Sequence, residues 1–290
     1  MTLQPTGTSL GSVISCSLAD SSLLYDFLFS ADFSFAISNF KKQLIYKLFS
    51  IRIYKIKKMV EKISNLNNFF NPKTIAVIGA SNNIKKVGYA LVYKLKKFKG
   101  RVVPVNLYEE KVLGIKTYKS VNDFKGKIDL AVIAVPCKFV AKILQECGKK
   151  KIKSVIIISA GFSETDANGK KQEQKLMTIA KKYNIRLLGP NCFGVANPHK
   201  ELDCTFSKTS VKKGKVAFIS QSGALWSYIA DFSLDRHIGF SGFVSLGNKT
   251  DVGFTDMIEY FSKDKKTKSI ILYIEALDNG KDFIEECQKA

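Results

Sequence analysis

From residue 74 onward, short apolar runs alternate with longer stretches whose apolar residues recur at helical spacing. Thr74 to Ile78 is a β-branched and small-apolar run that meets Gly79. A polar loop follows, and then Val87, Leu91 and Leu95 repeat at every fourth position. This is the signature of a buried strand, a tight turn and a helix start. The same alternation predicts strands at 101–105, 129–135, 154–158 and 185–188, with helices near 87–97, 138–149 and 170–182. Residues 109–114 read as a short link. Strands apolar on both faces, separated by helices, imply a parallel sheet covered on both sides.

The alternation breaks over 196–214, which reads as irregular, with Lys212-Lys213-Gly214 as a linker. It resumes with a strand at 216–219, the turn Ser220-Gln221-Ser222-Gly223 and a helix at 224–235. A strand at 241–246, a helix at 253–262 and a strand at 269–275 ending in Glu275 come next. A last helix is expected from Gly280 to Ala290. Three strands are a small sheet with an open edge, so this second unit reads as incomplete.

Residues 1–58 have another character. They are rich in Ser, Phe and Leu and turn basic from Phe40 to Lys58. Asp26 and Asp32 interrupt the apolar part, so it falls short of the ~18 residues of a membrane span. It also lacks the basic start of a secretory signal. Residues 40–58 fit a basic amphipathic helix on an anionic membrane surface. Met59 is a natural initiator just ahead of the first unit; it is expected to be the true start, with 1–58 an extension that is not native.

The 290 residues accommodate two domains, each large enough for a core. The net charge of +21 comes mainly from lysines spread along the chain. No zinc-finger spacing, RNP-type motif or arginine run accompanies it, so nucleic acid is not the expected partner. A lysine-rich solvated surface with a local preference for phosphates is the simpler reading. The six cysteines form no C-x-x-C pair and read as reduced cytosolic thiols. The two histidines, His199 and His237, lie in unrelated contexts and exclude a histidine metal cluster.

The candidate chemistry begins at the first turn. In an open parallel sheet it lies at the carboxyl edge, where ligands bind. The N–H groups of the new helix favour an anion there, most often a phosphate. G-x-G-x-x-G is absent, and the second strand ends in Asn106 where a nicotinamide-dinucleotide site carries Asp or Glu. A phosphate-bearing ligand of another kind is therefore expected. A helix cap without a ligand, made by Ser81 or Asn82, is the plainer alternative. Ser222 lacks the leading glycine of G-x-S-x-G, and no later histidine follows a suitable acid, which argues against a hydrolase.

Six turns taken together are more specific. They are F-F-N-P-K-T-I-A-V-I-G-A-S at 69–81, A-V-I-A-V-P at 131–136, I-S-A-G-F-S-E at 158–164, L-L-G-P-N-C at 187–192, S-Q-S-G-A-L at 220–225 and S-L-G-N-K at 245–249. In this order they resemble the nucleoside-diphosphate-forming acyl-CoA synthetases, the group of ADP-forming acetate–CoA ligase and a relative of succinyl-CoA synthetase. The resemblance covers about 64–290. It implies an α/β fold: a Rossmann-like, parallel-sheet CoA-binding domain over 64–198, then a flavodoxin-like domain of the succinyl-CoA-synthetase type over 214–290, truncated at its C-terminus. The implied reaction interconverts acyl-CoA, ADP and phosphate with acid, CoA and ATP, through an acyl phosphate and a phosphohistidine.

By the same resemblance, coenzyme A lies on Gly79, Ala80, Ser81, Asn82 and Lys86, with Lys85 adding charge. Asn106, Pro136, Ser159, Ala160 and Gly161 share that edge. Relatives commonly read V-N-P-K after the second strand; here Val105-Asn106-Leu107-Tyr108 departs from it, and Lys111 is the nearest substitute. In the phosphoryl-handling half, Ser222 and Gly223 are implied to hold phosphate or the phosphorylated imidazole. Glu275 is implied to orient the histidine ring. Asn191 falls near the acyl-phosphate site, and Cys192 lies either there or simply in the core. Neither His199 nor His237 matches the family's histidine, which lies past the third strand of this half. The ATP-grasp domain that binds ATP or ADP with Mg2+ is likewise expected on a partner β subunit or another portion. The implied setting is cytoplasmic, with a small carboxylic acid or its acyl-CoA as substrate and no nucleic acid or membrane partner. Two alternatives stay open: a CoA-binding module without turnover, and a fragment of a synthetase-like protein acetyltransferase.

Overall fold

The computed structural model describes residues 65–290. The readings for 1–58, including the amphipathic helix and the start at Met59, lie outside the described residues. Residues 65–70 are helical and bury Leu66, Phe69 and Phe70. The first half then runs β1 (Thr74–Ile78), α1 (Val87–Lys94), β2 (Arg101–Val105), a small hairpin of β3 (Lys111–Val112) and β4 (Ile115–Lys116), β5 (Leu130–Ile133), α2 (Cys137–Lys149), β6 (Ser154–Ile157), α3 (Ala167–Tyr183) and β7 (Arg186–Leu188). Its sheet has the order β2-β1-β5-β6-β7 and is parallel throughout. Ile78 stands level with Val105 and Ile133, and Ile133 with Ile157, so the loops leaving these strands emerge at one edge.

Alternation along β1 shows why both faces are apolar. Ile75 and Val77 pack with Leu91, Val92 and Leu95, whereas Ala76 and Ile78 pack with Val140, Leu144 and Ile179 from the opposite helix layer. Val140 and Leu144 lie one turn apart on α2 and are wholly buried, each stabilising the fold by roughly 1.5–3 kcal/mol.

The second half comprises β8 (Gly194–Asn197), β9 (Leu202–Thr205), β10 (Lys212–Ser220), α4 (Gly223–Asp235), β11 (Gly239–Ser245), α5 (Phe254–Ser262), β12 (Ser269–Tyr273) and α6 (Gly280–Lys289). Its sheet order is β12-β10-β11-β8-β9. The three later strands are parallel, and the β8–β9 hairpin joins antiparallel through β8 and β11. Residues 196–214 are therefore irregular only over 206–211, and Lys212-Lys213-Gly214 is not a linker but the start of β10. That end of β10 stands outside the buried part of the sheet, so its residues are polar and exposed and carry no strand signature. β8 and β9 are four residues each, too short for a clear period.

The two halves share apolar packing. One cluster joins Ile75, Val77 and Leu91 of the first half to Val195, Leu202, Val244 and Phe261 of the second, with α1 lying against β9. Under α4, Trp226 stacks on Phe243 with ring centroids 3.7 Å apart. β12 is an edge strand that alternates exposed and half-buried residues. Glu275 accordingly does not end a buried strand: β12 stops at Tyr273, and Glu275 is exposed in the segment beyond.

Candidate functional site

The first turn is built by close backbone approach. Gly79 has φ +91°, and a Cβ there would sit 2.2 Å from the Ala134 carbonyl oxygen. A Cβ on Gly88 would lie 1.8 Å from the Gly79 carbonyl oxygen, so α1 enters against the turn only because residue 88 has no side chain. Ala80 and Ser81 are buried, whereas Asn82 to Lys86 are exposed, with the Lys85 and Lys86 side chains on the surface. Lys86 is the N-cap residue of α1 and makes no side-chain cap.

The polar side chains of this turn are already engaged. Ser81 Oγ donates to Glu109 Oε1 at 2.9 Å, and the Asn82 N–H donates to the same carboxylate at 3.0 and 3.2 Å. Asn82 Nδ2 also bonds Glu109 Oε2 and donates to the Lys111 carbonyl at 2.8 Å. Asn106 Nδ2 donates to the Ala80 carbonyl at 2.7 Å, and its Oδ1 accepts the Tyr108 and Glu109 N–H groups at 2.7 and 3.1 Å. Asn106 is thus a staple between two loops. Glu109 was not foreseen from sequence. The one available signal was an acidic residue shortly after the second strand, within the stretch read as a link.

The loops after β5 and β6 are fastened in the same way. Ser159 Oγ donates to the Val135 carbonyl at 2.5 Å and accepts the Val135 N–H at 3.2 Å, beside Pro136 at the cap of α2. Ala160 is exposed. Gly161 has φ +100° and faces Cys137, and its N–H donates to Glu164 Oε1 at 2.6 Å. The Phe162 N–H reaches the same oxygen at 3.1 Å. Burial works to raise the Glu164 carboxyl, but the hydrogen bonds from the Asn248 side chain and from Gly161 and Phe162 outweigh it and hold the group below its ordinary value.

Asn191, Asn248, Glu164 and Glu173 form the junction of the two ligand edges. Asn191 Nδ2 lies 3.3 Å from Asn248 Oδ1, and the Asn191 N–H donates to the Ser159 carbonyl at 3.0 Å. Asn248 Nδ2 donates to Glu164 Oε2 at 2.6 Å and to Glu173 Oε2 at 2.9 Å. The Asn248 N–H closes on the Pro190 carbonyl at 3.0 Å. Cys192 is buried, with Sγ 3.3 Å from the Ile157 carbonyl, and burial pushes its thiol up to about 12. It is a core residue, not a thiolate nucleophile.

In the second half, Ser222 caps α4 by accepting the Leu225 N–H at 3.3 Å, and Gly223 packs on Phe193. Gln221 holds the exit of β12: its Oε1 accepts the N–H groups of Glu275 and Ala276 at 2.8 and 2.9 Å. Glu275 therefore stands beside the Ser220–Gly223 turn through Gln221. The histidines are elsewhere. His199 Nε2 bonds the Gly214 carbonyl near the amino end of β10, and His237 lies between α4 and β11 at the amino end of that strand. Both are at the edge opposite the candidate site. Among the described residues no group of three or more His, Cys, Asp or Glu is placed to hold a metal ion, and no helix is long and apolar enough to cross a membrane.

Comparison with known proteins places both halves. Residues 73–198 match the CoA binding domain family, and residues 213–290 match the succinyl-CoA ligase like flavodoxin domain. The chain is 51% identical over 225 residues to the α subunit of acetate–CoA ligase [ADP-forming] II from Pyrococcus furiosus, covering 77% of this chain and 49% of that protein. It is 43% identical over 221 residues to 4-hydroxybutyrate–CoA ligase [ADP-forming] from Nitrosopumilus maritimus, covering 75% of this chain and 32% of that protein. It superposes with a TM-score of 0.75, at 37% identity, on the dinucleotide forming acetyl-coenzyme A synthetase 1 of Candidatus Korarchaeum cryptofilum in complex with phosphate and ADP, covering 78% of this chain and 49% of that one. The chain spans about half or less of the length of these relatives.

Proposed function

From its membership of the nucleoside-diphosphate-forming acyl-CoA synthetase family, we propose that this chain is the coenzyme A-binding part of an ADP-forming acyl-CoA ligase. The observation that carries the reading is the first turn. Its hydroxyl and amide donors at Ser81 and Asn82 already close on an oxyanion, the Glu109 carboxylate, beside the exposed Lys85 and Lys86. That donor set fits the phosphates of CoA, which the turn would hold by backbone N–H groups and lysine charge. Asn106 and Ser159 act on the ligand indirectly, by fixing the loops, and Ala80, Pro136, Ala160 and Gly161 supply loop backbone at the same edge.

In this proposal acyl-CoA, ADP and phosphate interconvert with acid, CoA and ATP through an acyl phosphate and a phosphohistidine. Neither His199 nor His237 serves, because both lie at the wrong edge of the second sheet. The Ser222–Gly223 turn would receive the phosphoryl group at the α4 N-terminus, Glu275 would orient the histidine, and Asn191 would face the acyl phosphate. Nucleotide and Mg2+ belong to an ATP-grasp partner, the substrate is a small carboxylic acid, and the setting is cytoplasmic.

Titration calorimetry of the chain with CoA, dephospho-CoA and NAD tests the reading. CoA is expected to bind and NAD to give no heat. Uptake of NAD with no response to CoA overturns it. A CoA-binding module without turnover is the second reading, favoured by the absence of either histidine from the site. Under both, the chain alone is expected to form no ATP from acetyl-CoA, ADP and phosphate.

A further inference from the structure

We infer that Glu109 is a resident competitor for the ligand's phosphate, so that its displacement sets the affinity of the first turn. The inference rests on the proposed CoA reading of that turn. Four contacts converge on one carboxylate: Ser81 Oγ at 2.9 Å, the Asn82 N–H at 3.0 and 3.2 Å, and Asn82 Nδ2. Among the described residues no lysine or arginine forms an ion pair with Glu109. Its only compensation is the loop's own donors, the same donors a phosphate needs.

Two anions cannot share them. A phosphate brought within hydrogen-bond distance of Ser81 and Asn82 meets the carboxylate at a separation where like charges repel. Glu109 must therefore leave before the phosphate seats. The Glu109 side chain can swing outward without the segment leaving. Leu107 and Tyr108 before it are 64% and 91% exposed, its own N–H is tied to Asn106 Oδ1, and the backbone is next pinned at Glu110, whose carbonyl accepts the Thr117 N–H at 2.9 Å. The observed affinity is then the intrinsic affinity reduced by the fraction of molecules in which Glu109 is already displaced.

This separates Glu109 from Glu164, which sits on the Gly161 and Phe162 N–H groups. Glu164 is also held by the Asn248 side chain from the second half. It is a structural clasp between the halves. Glu109 has no such second anchor.

Calorimetry with CoA on the 290-residue chain and on E109A and E109Q tests the inference. E109A is expected to bind CoA roughly tenfold more tightly, and E109Q to fall between it and the parent chain, because glutamine keeps an acceptor for Asn82 but loses the charge. Thermal melts without ligand check that both variants fold, and a modest loss of stability in E109A is expected beside its gain in affinity. A merely structural Glu109 would move both quantities downward together. Equal or weaker CoA binding by both variants, with the parent chain binding normally, overturns the inference alone. No CoA heat from any of the three overturns the ligand reading and the inference with it.

Discussion

The two sheets solve the same problem differently. The first is parallel throughout, and the loops at its ligand edge are fastened by side chains of their own half, Asn106 across the first turn and Ser159 across the loops after β5 and β6. The second is mixed, with an antiparallel hairpin on one side and the half-exposed β12 on the other. Its 275–276 segment is held by Gln221 of its own half, but Asn248 leans on Glu164 and Glu173 of the first half and Gly223 packs on Phe193 at the junction. The turn after β1 is held within its own half, whereas the second edge is held in part by the first half. On the proposed reading the first half is expected to grip its ligand alone, whereas the loops at the second edge depend on the junction holding.

Cutting the junction is the harshest way to break this comparison. Arg186 of β7 bonds Asp251 Oδ2 at 2.9 Å and Asp256 Oδ2 at 3.0 Å, with its side chain 11% exposed. Burial acts to lower the guanidinium, but the two carboxylates outweigh it and raise it above its ordinary value. Arg186→Ala leaves the acids short of their cation and is expected to cost about 3–5 kcal/mol. A differential scanning calorimetry trace should show the second half melting first, in a separate transition, while CoA binding at lower temperature persists. One cooperative transition with CoA binding lost would show that the first edge is not self-supporting.

The sequence displayed the first half well because buried parallel strands carry dense β-branched runs and their turns carry Gly79, Gly88 and Gly161 at fixed places. It misread 196–214 because β8 and β9 are short and the start of β10 is polar, exposed and lysine-rich. It overstated the burial of the strand before Glu275 because Ile270 to Ile274 reads apolar throughout, while only alternate residues of β12 turn inward. Which loops gather at the carboxyl edge of the first sheet was legible in the glycine and asparagine turns. That Ser81, Asn106 and Ser159 bond to groups of neighbouring loops was not, since those hydrogen bonds span 24 to 28 residues. Glu109 went unseen for the same reason: its partners Ser81 and Asn82 are remote in sequence, and nothing local marks a carboxylate that closes on them.

A local break tests the first edge by itself. Gly88→Ala places a methyl group against the Gly79 backbone, where no flexible side chain can yield. The expected cost is about 1–3 kcal/mol of stability, with CoA binding lost in calorimetry because α1 and the turn must separate. Normal CoA affinity in a folded Gly88→Ala chain would remove the first turn from the site.

The gentlest probe concerns the clasp between the edges and works through pH. Glu164 is held below its ordinary value of 4.5, so its folded carboxylate contributes stability above that range and loses the contribution as pH falls through the depressed value. Glu164→Gln keeps one acceptor for the Gly161 N–H but carries no charge for Asn248 to meet. The variant should melt below the parent chain at neutral pH, and the gap should close as the solution is acidified past the carboxylate range, where both side chains are neutral. Melting temperatures followed from pH 7 into the acid limb read this directly. A gap that stays constant to low pH would mean that shape alone, and not the charge of Glu164, joins the S-A-G-F-S-E loop to Asn248.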